Sequence, residues 1–193
     1  MDTRSKHARG GASERRFAPA PAGALVRWTS LLTLIAAPMV VGGVAFAVSR
    51  EVDAEALFGL GIGALVLCSL VLIWWTARIE NYRVADGRLV VKRAWHSPDF
   101  ALEGLAEIRV ASDALRGALR TFGNGGLGAI SGWFWSRSLG RFRAYVTDAA
   151  RTVVMRWPDR TVVVSPERPH EFVAEVRRRV VANGAEGTLR VAR

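Results

Sequence analysis

Two uncharged apolar stretches decide the fold: WTSLLTLIAAPMVVGGVAFAV at residues 28–48 and ALFGLGIGALVLCSLVLIWWTA at residues 56–77. A helix rises about 1.5 Å per residue and the hydrocarbon core of a bilayer is about 30 Å thick, so about 20 apolar residues span it. Both stretches meet that length, and they predict a transmembrane hairpin with a short external loop at residues 49–55. Gly59 and Gly63 would let another helix pack closely, either the first helix, which is favoured, or a second copy.

Charge is distributed unevenly around these stretches. Residues 1–27 carry a net charge of +4, residues 49–55 carry −2, and residues 78–193 carry +8. Because positively charged flanks stay in the cytoplasm, both termini are expected inside and the loop outside, as in a multi-pass protein of the cytoplasmic membrane. Cleavage of the first stretch as a signal peptide, after a small-x-small motif at residues 45–47, is the alternative. The length of the stretch argues against it.

The segments outside the apolar stretches differ in character. Residues 1–23 are rich in Arg, Ala, Gly, Ser and Pro, with Phe17 as the only large apolar side chain, so a disordered basic cytoplasmic tail is expected over residues 1–27. Residues 78–184 are long enough for one folded cytoplasmic domain, and residues 185–193 form a short C-terminal tail. The single cysteine, Cys68, excludes an intramolecular disulfide.

The pattern after residue 77 is typical of short β-strands. Asp86-Gly87 lies between two strand-like runs in NYRVADGRLVVKR and predicts a tight hairpin. Further strands are predicted at residues 100–102, 107–111, 132–136, 142–147, 152–157 and 160–164. Phe172, Val176 and Val180 share one helical face, which predicts an amphipathic C-terminal helix over residues 169–182.

A series of motifs marks residues 132–176. A Gly-aromatic-aromatic segment precedes a strand that ends in Tyr-x-Thr, and a Val-rich hairpin then leads to Ser-Pro-Glu-x-Pro before a helix that carries Phe. The residues concerned are Gly132, Trp133, Phe134, Tyr145, Thr147, Ser165, Pro166, Glu167, Pro169 and Phe172. This order resembles the C-terminal half of bacterial pleckstrin-homology (PH)-like domains, which often follow one or two transmembrane helices.

The resemblance implies a fold and a general role. The expected fold is a two-helix transmembrane hairpin followed by a mainly-β domain of about seven antiparallel strands in two packed sheets, capped by one C-terminal amphipathic α-helix. The expected location is the bacterial cytoplasmic (inner) membrane. The resemblance implies no enzyme, and better-known members of the family assemble or bind other proteins at membranes.

Other motifs do not favour catalysis or a cofactor. Residues 123–128 fit the spacing G-x-G-x-x-G, but no helix follows and no βαβ unit surrounds them, so a loop between strands is favoured over a nucleotide site. The three histidines are scattered, which does not support a metal site, and Ser165 lacks a G-x-S-x-G frame. The arginines are spread along the chain, so membrane topology explains the basic charge better than nucleic-acid binding does.

The densest aromatic and basic cluster is the candidate contact surface. It consists of Trp133, Phe134, Trp135, Arg137, Arg141 and Arg143. A pleated strand would direct Trp133 and Trp135 to one face and Phe134 to the other, so one side of the set is expected in the core. The leading hypothesis is a membrane-anchored, non-enzymatic module that binds a protein partner or a second copy. The alternative is that this aromatic and arginine cluster binds anionic lipid headgroups at the inner leaflet.

Overall fold

The structure is a computed structural model, and it describes residues 14–48 and 54–182. The predictions for residues 1–13, for most of the external loop and for the C-terminal tail at 185–193 lie outside the described residues. The described part consists of two apolar helices and a mostly-β domain of two sheets that ends in one helix.

The two apolar helices are α1 (Ala24–Val48) and α2 (Ala54–Ala77), and they pack against each other. By length and composition, α1 can cross a membrane over Ala24–Phe46, whereas the apolar length found among the described residues of α2, Gly61–Ala77, is shorter. Of the two helices predicted to span a membrane, α1 therefore has the apolar length that a span requires. A Cβ atom on Gly63 would lie 3.8 Å from Val40 Cγ1 of α1, and a Cβ atom on Gly59 would have nothing within 4 Å. Close packing at Gly59 stays a prediction.

A four-stranded antiparallel sheet has the order β1-β2-β3-β4. Its strands are β1 (Arg15–Phe17), β2 (Ile79–Ala85), β3 (Arg88–Arg93) and β4 (Asp99–Ala101). Asp86 and Gly87 join β2 to β3 with φ angles of +48° and +68°, which are the positive dihedrals of a tight two-residue turn. The predicted hairpin is therefore confirmed.

A six-stranded sheet has the order β5-β9-β10-β8-β7-β6. Its strands are β5 (Glu107–Val110), β6 (Leu119–Gly125), β7 (Ile130–Ser136), β8 (Gly140–Val146), β9 (Val153–Arg156) and β10 (Thr161–Val164), and α3 (Pro169–Ala182) follows them. The prediction of antiparallel strands throughout is wrong at one place, because β10 runs parallel to β8. The connection from β8 to β10 passes through β9, which lies on the far side of β10, so β10 returns alongside β8 in the same direction.

The two sheets enclose the main core. Phe172 of α3 packs there at 6.3 Å from the ring of Tyr82. The Tyr82 hydroxyl donates to the Tyr145 carbonyl oxygen at 2.8 Å and accepts the Ser165 N–H at 3.2 Å, and burial raises the pKa of Tyr82 to about 12. The other face of the wider sheet carries a second apolar cluster, which includes Phe142. Because the six-stranded sheet has two more strands than its partner, the face formed by β6, β7 and the adjacent part of β8 carries large exposed side chains.

The segment before α1 corrects the predicted domain boundaries. The composition of residues 1–27 predicts disorder, but β1 pairs antiparallel with β2, and Phe17 is buried against Phe172 with ring centroids 5.2 Å apart. The Ala20 N–H donates to the Ser165 carbonyl oxygen at 2.8 Å, and the Gly23 N–H donates to the Thr147 carbonyl oxygen at 2.9 Å. The physical reason is that the edge of β2 offers unpaired backbone groups, so a short segment with one apolar side chain can dock there. We call residues 14–23 the N-terminal strap.

Candidate functional site

The glycine-rich loop between β6 and β7 rests against both apolar helices. Thr29 of α1 donates from Oγ1 to the Gly126 carbonyl oxygen at 2.7 Å, and the Gly128 N–H donates to Ser30 Oγ at 3.2 Å. Gly128 has a φ of +78°, and a Cβ atom there would lie 2.7 Å from the Trp74 carbonyl oxygen of α2. Of the residues with G-x-G-x-x-G spacing, 126–128 lie in the loop between the strands and 123–125 belong to β6, so the predicted loop is confirmed only in part. The last glycine, Gly128, allows close contact with α2.

The connections to the helices fix the orientation of the domain. Only Arg78 separates the end of α2 from the start of β2, and the strap hydrogen-bonds to the domain one residue before α1 begins. With both connections short and the glycine-rich loop docked, the β6 end of the wide sheet lies beside the last turns of α2.

One face of β6, β7 and β8 carries aromatic, aliphatic and arginine side chains together. Cross-strand register pairs Leu119 with Trp135, Phe122 with Trp133, Trp133 with Arg143, and Trp135 with Arg141, so all of them share a face. We call this the β6–β8 surface, and its members are Leu119, Phe122, Trp133, Trp135, Arg141 and Arg143. The guanidinium carbons of Arg141 and Arg143 lie 4.3 and 4.9 Å from the Trp133 ring centroid, within cation–π distance.

The predicted contact cluster divides between this surface, the core and a turn. Trp133, Trp135, Arg141 and Arg143 lie on the β6–β8 surface. Phe134 points to the other face, where it is buried and stacks on Phe142 at 5.9 Å, as the alternation along a strand predicts. Arg137 is exposed in the turn between β7 and β8. The structure therefore brings four of the six predicted residues together on one exposed face.

A cleft of about 600 Å³ lies where the β6–β8 surface meets the last turn of α2 and the end of β3. We call it the α2 cleft. The residues that matter for its chemistry are Ile73, Arg93, Arg120, Phe122, Arg143 and Tyr145. Its walls are partly apolar, from α2 and β6, and partly basic, from three different strands.

Arg93 links the end of β3 to the last turn of α2 within the cleft. Its Nη2 atom donates to the Thr76 carbonyl oxygen at 3.3 Å and to Ser131 Oγ at 3.5 Å, and its guanidinium carbon lies 5.9 Å from the Tyr145 ring centroid. Burial lowers the pKa of Arg93 and raises the pKa of Tyr145. Near neutral pH the guanidinium keeps its charge and the phenol keeps its proton, so both side chains are hydrogen-bond donors.

Most of the β domain matches a known protein family. The family model of the bacterial PH domain matches residues 80–180, which is more than half of the chain. The chain belongs to the bacterial PH domain family. The match confirms the resemblance at residues 132–176 and extends it to β2. The matched region begins after α2, so the two helices and the strap lie outside it. Comparisons with curated proteins and with solved structures found no match.

The main residues that sequence analysis missed are Arg93, Arg120 and Phe122. Arg93 ends a strand of the four-stranded sheet, whereas the other two lie on β6. The sequence pattern of β6 is not strand-like, because it contains glycines at 123 and 125 and glycine is uncommon in strands. The available signal for β6 was the run Leu119 to Phe122 opposite the predicted strand at 132–136. For Arg93 no local signal exists, because the cleft forms only when α2 and the two sheets come together.

Proposed function

We propose that this bacterial PH domain is a non-enzymatic binding module, held at the cytoplasmic face of the inner membrane by a two-helix hairpin with both termini inside. Pairing of β1 with β2 supports the topology. Residues 15–17 and 79–85 form one sheet, so they lie on the same side of any membrane, and the chain between them crosses it an even number of times. Since α1 can span, α2 is the return helix.

Cysteine labelling in cells tests this topology. In a Cys68→Ser background, Val52→Cys lies between the helices and Arg151→Cys lies on the domain. A membrane-impermeant maleimide is expected to label Val52→Cys in intact cells and Arg151→Cys only after lysis. Labelling of both positions, or of Arg151→Cys alone, in intact cells contradicts the hairpin.

The binding surface of this module is the β6–β8 surface, and the occupant is a protein partner or a second copy. The observation that carries this proposal is the pair Leu119 and Trp135, which lie opposite each other and are 64% and 43% exposed. Phe122 on the same strand is 76% exposed. Large apolar side chains clustered on one exposed face are typical of interaction sites rather than of ordinary surface.

Strand β6 also offers backbone groups for recognition. It is the last strand of its sheet, and in the described residues it pairs only with β7. An added strand could pair along this edge, with main-chain hydrogen bonds giving affinity and side-chain contacts to Leu119 and Trp135 giving specificity. The arginines beside Trp133 favour a partner segment that carries acidic residues.

Site-specific crosslinking tests the surface in native membranes. In the Cys68→Ser background, Leu119→Cys places one thiol on the β6–β8 surface, and Val181→Cys, on an exposed apolar position of α3, is the matched control. A thiol-attached photocrosslinker is expected to give discrete adducts from Leu119→Cys that are absent from Val181→Cys. Adduct mass separates a second copy from a different protein. The same adduct pattern at both positions, or none at Leu119→Cys, contradicts the proposal.

A further inference from the structure

The α2 cleft concentrates positive charge without compensation. Arg93, Arg120 and Arg143 line it, and none of its lining residues is acidic. Within residues 14–48 and 54–182, none of these three arginines forms an ion pair, whereas some arginines elsewhere do, such as Arg83 with Glu14. Three arginines converging from β3, β6 and β8 with no carboxylate between them form a site for an anion.

Arg93 gives a second, independent indication. Its Nε atom is buried and has no hydrogen-bond partner among the described residues, although Nη2 of the same guanidinium bonds to Thr76 and Ser131. Leaving a charged donor buried without an acceptor is unfavourable. An oxyanion in the cleft would supply the missing counter-charge next to this guanidinium.

Nearby polar groups favour an oxyanion with several oxygens. Ser131 and Tyr145 bring hydroxyl groups to the same cleft, and arginine forks bind the oxygens of phosphate in pairs. A phosphate group has several oxygens that can accept hydrogen bonds, so it suits a cleft with several donors better than a single-oxygen acceptor does.

The walls of the cleft favour a lipid over a soluble anion. Ile73 and Phe122 provide apolar surface, and Trp74 and Trp75 lie at the same end of α2, where aromatic side chains favour the headgroup layer. We propose that the α2 cleft binds the phosphate of an anionic phospholipid headgroup from the inner leaflet. This inference goes beyond the protein-binding role of the β6–β8 surface, and its lipid source rests on the proposed membrane anchor.

Lipid retention by the full chain tests the proposal. The purified full-length protein is exchanged into a neutral detergent, phosphatidylglycerol or phosphatidylcholine is added, and native mass spectrometry measures the fraction with lipid bound. The expected result is preferential retention of phosphatidylglycerol, reduced about tenfold by Arg93→Gln, because one charged hydrogen-bonding group is lost. The matched control is Arg160→Gln, since Arg160 is exposed in the turn before β10 and does not line the cleft.

A second variant keeps the test valid if Arg93→Gln unfolds the protein. Arg120 is exposed on β6, so Arg120→Gln is not expected to disturb the core, and it is expected to reduce phosphatidylglycerol retention several-fold. Equal retention by wild type, Arg93→Gln and Arg120→Gln would overturn the proposal. An equal loss in Arg160→Gln would overturn it as well, because it would show that total charge and not the cleft matters.

Competition separates the two sources of phosphate. Inorganic phosphate and glycerol 3-phosphate are added at millimolar concentration to the phosphatidylglycerol complex. Persistence of the lipid complex supports a lipid headgroup, and complete displacement overturns the lipid assignment. Leu119→Cys crosslinking is then repeated with Arg93→Gln present. Unchanged adducts with lost lipid retention support lipid binding that is independent of the protein partner, whereas retained lipid with unchanged adducts contradicts the cleft and leaves the protein-binding role intact.

Discussion

The ring of Phe17 lies edge-on to the ring of Phe172, with centroids 5.2 Å apart and an interplanar angle of 82°. Phe17 precedes the first apolar helix, and Phe172 belongs to α3, the last helix among the described residues. Their contact makes the strap part of the domain core, although the family match begins only at residue 80. The two apolar helices therefore lie in the sequence between parts of one folded unit.

Phe17→Ala is expected to destabilise the protein by about 3 kcal/mol, because it empties a buried aromatic site and weakens docking of β1. The measurement is thermal or denaturant unfolding of the full chain in detergent, followed by near-ultraviolet circular dichroism. Val181→Ala, at an exposed position of α3, is the control and should stay within about 0.5 kcal/mol of wild type. Equal stability of the Phe17→Ala variant and wild type would show that the strap is dispensable.

Gly128→Ala is expected to weaken docking of the glycine-rich loop on α2. Its φ of +78° is costly for alanine, and the new Cβ would lie 2.7 Å from the Trp74 carbonyl oxygen. Gly140 is the matched control, because its φ of +67° is similar but a Cβ atom there would have nothing within 4 Å. Gly140→Ala should cost about 1 kcal/mol from backbone strain alone, and Gly128→Ala should cost more. Identical unfolding free energies for the two variants would rule out the contact with α2.

Local sequence signals predicted the elements whose cause is local. The Asp86-Gly87 turn requires positive dihedrals at adjacent residues, and the sequence supplies residues that tolerate them. The helical spacing of Phe172, Val176 and Val180 predicted the C-terminal helix, and its observed bounds are the predicted ones. The alternation at Phe134 and Trp135 placed one in the core and one at the surface.

Elements whose cause is distant in sequence could not be predicted in the same way. Composition alone predicts disorder for the strap, and its strand forms because Arg16 meets Arg83 across a backbone ladder that only the folded β2 provides. The α2 cleft depends on Arg93 and Arg143, which lie on different sheets. Neither residue carries a motif, so their proximity is visible only in the tertiary structure.

Glu175 links the strap to α3 and gives a pH dependence. Burial by itself would raise the pKa of Glu175, but the hydrogen bond from Arg179 and the charges of Arg178 and Arg15 outweigh burial and lower it. A lowered folded-state pKa contributes stability above the unfolded pKa of about 4.5, and that stability is lost as pH falls through the folded value.

Glu175→Gln is therefore expected to lower the free energy of unfolding by about 1.5 kcal/mol at pH 7, since charged hydrogen bonds are lost. The difference between variant and wild type should shrink as pH falls below about 4.5. Denaturant unfolding at a series of pH values measures this difference. The control is Glu171→Gln, because Glu171 forms an exposed ion pair with Arg168. A difference that is constant from pH 7 to pH 3 would show that the ionised carboxylate is not responsible.

The fragment of residues 78–193 contains the whole family match but lacks the strap, so β2 becomes an exposed edge and Phe172 loses its contact with Phe17. Such an edge promotes association between copies. A peptide of residues 14–23 added in excess is expected to raise the melting temperature of the fragment, because it binds the folded state alone. The same peptide with Phe17→Ala keeps the backbone groups of β1 and removes the ring, so it should raise the melting temperature less. Equal shifts from both peptides would mean that strand pairing without the Phe17–Phe172 contact is sufficient, and no shift from either would mean that residues 80–180 fold independently of the strap.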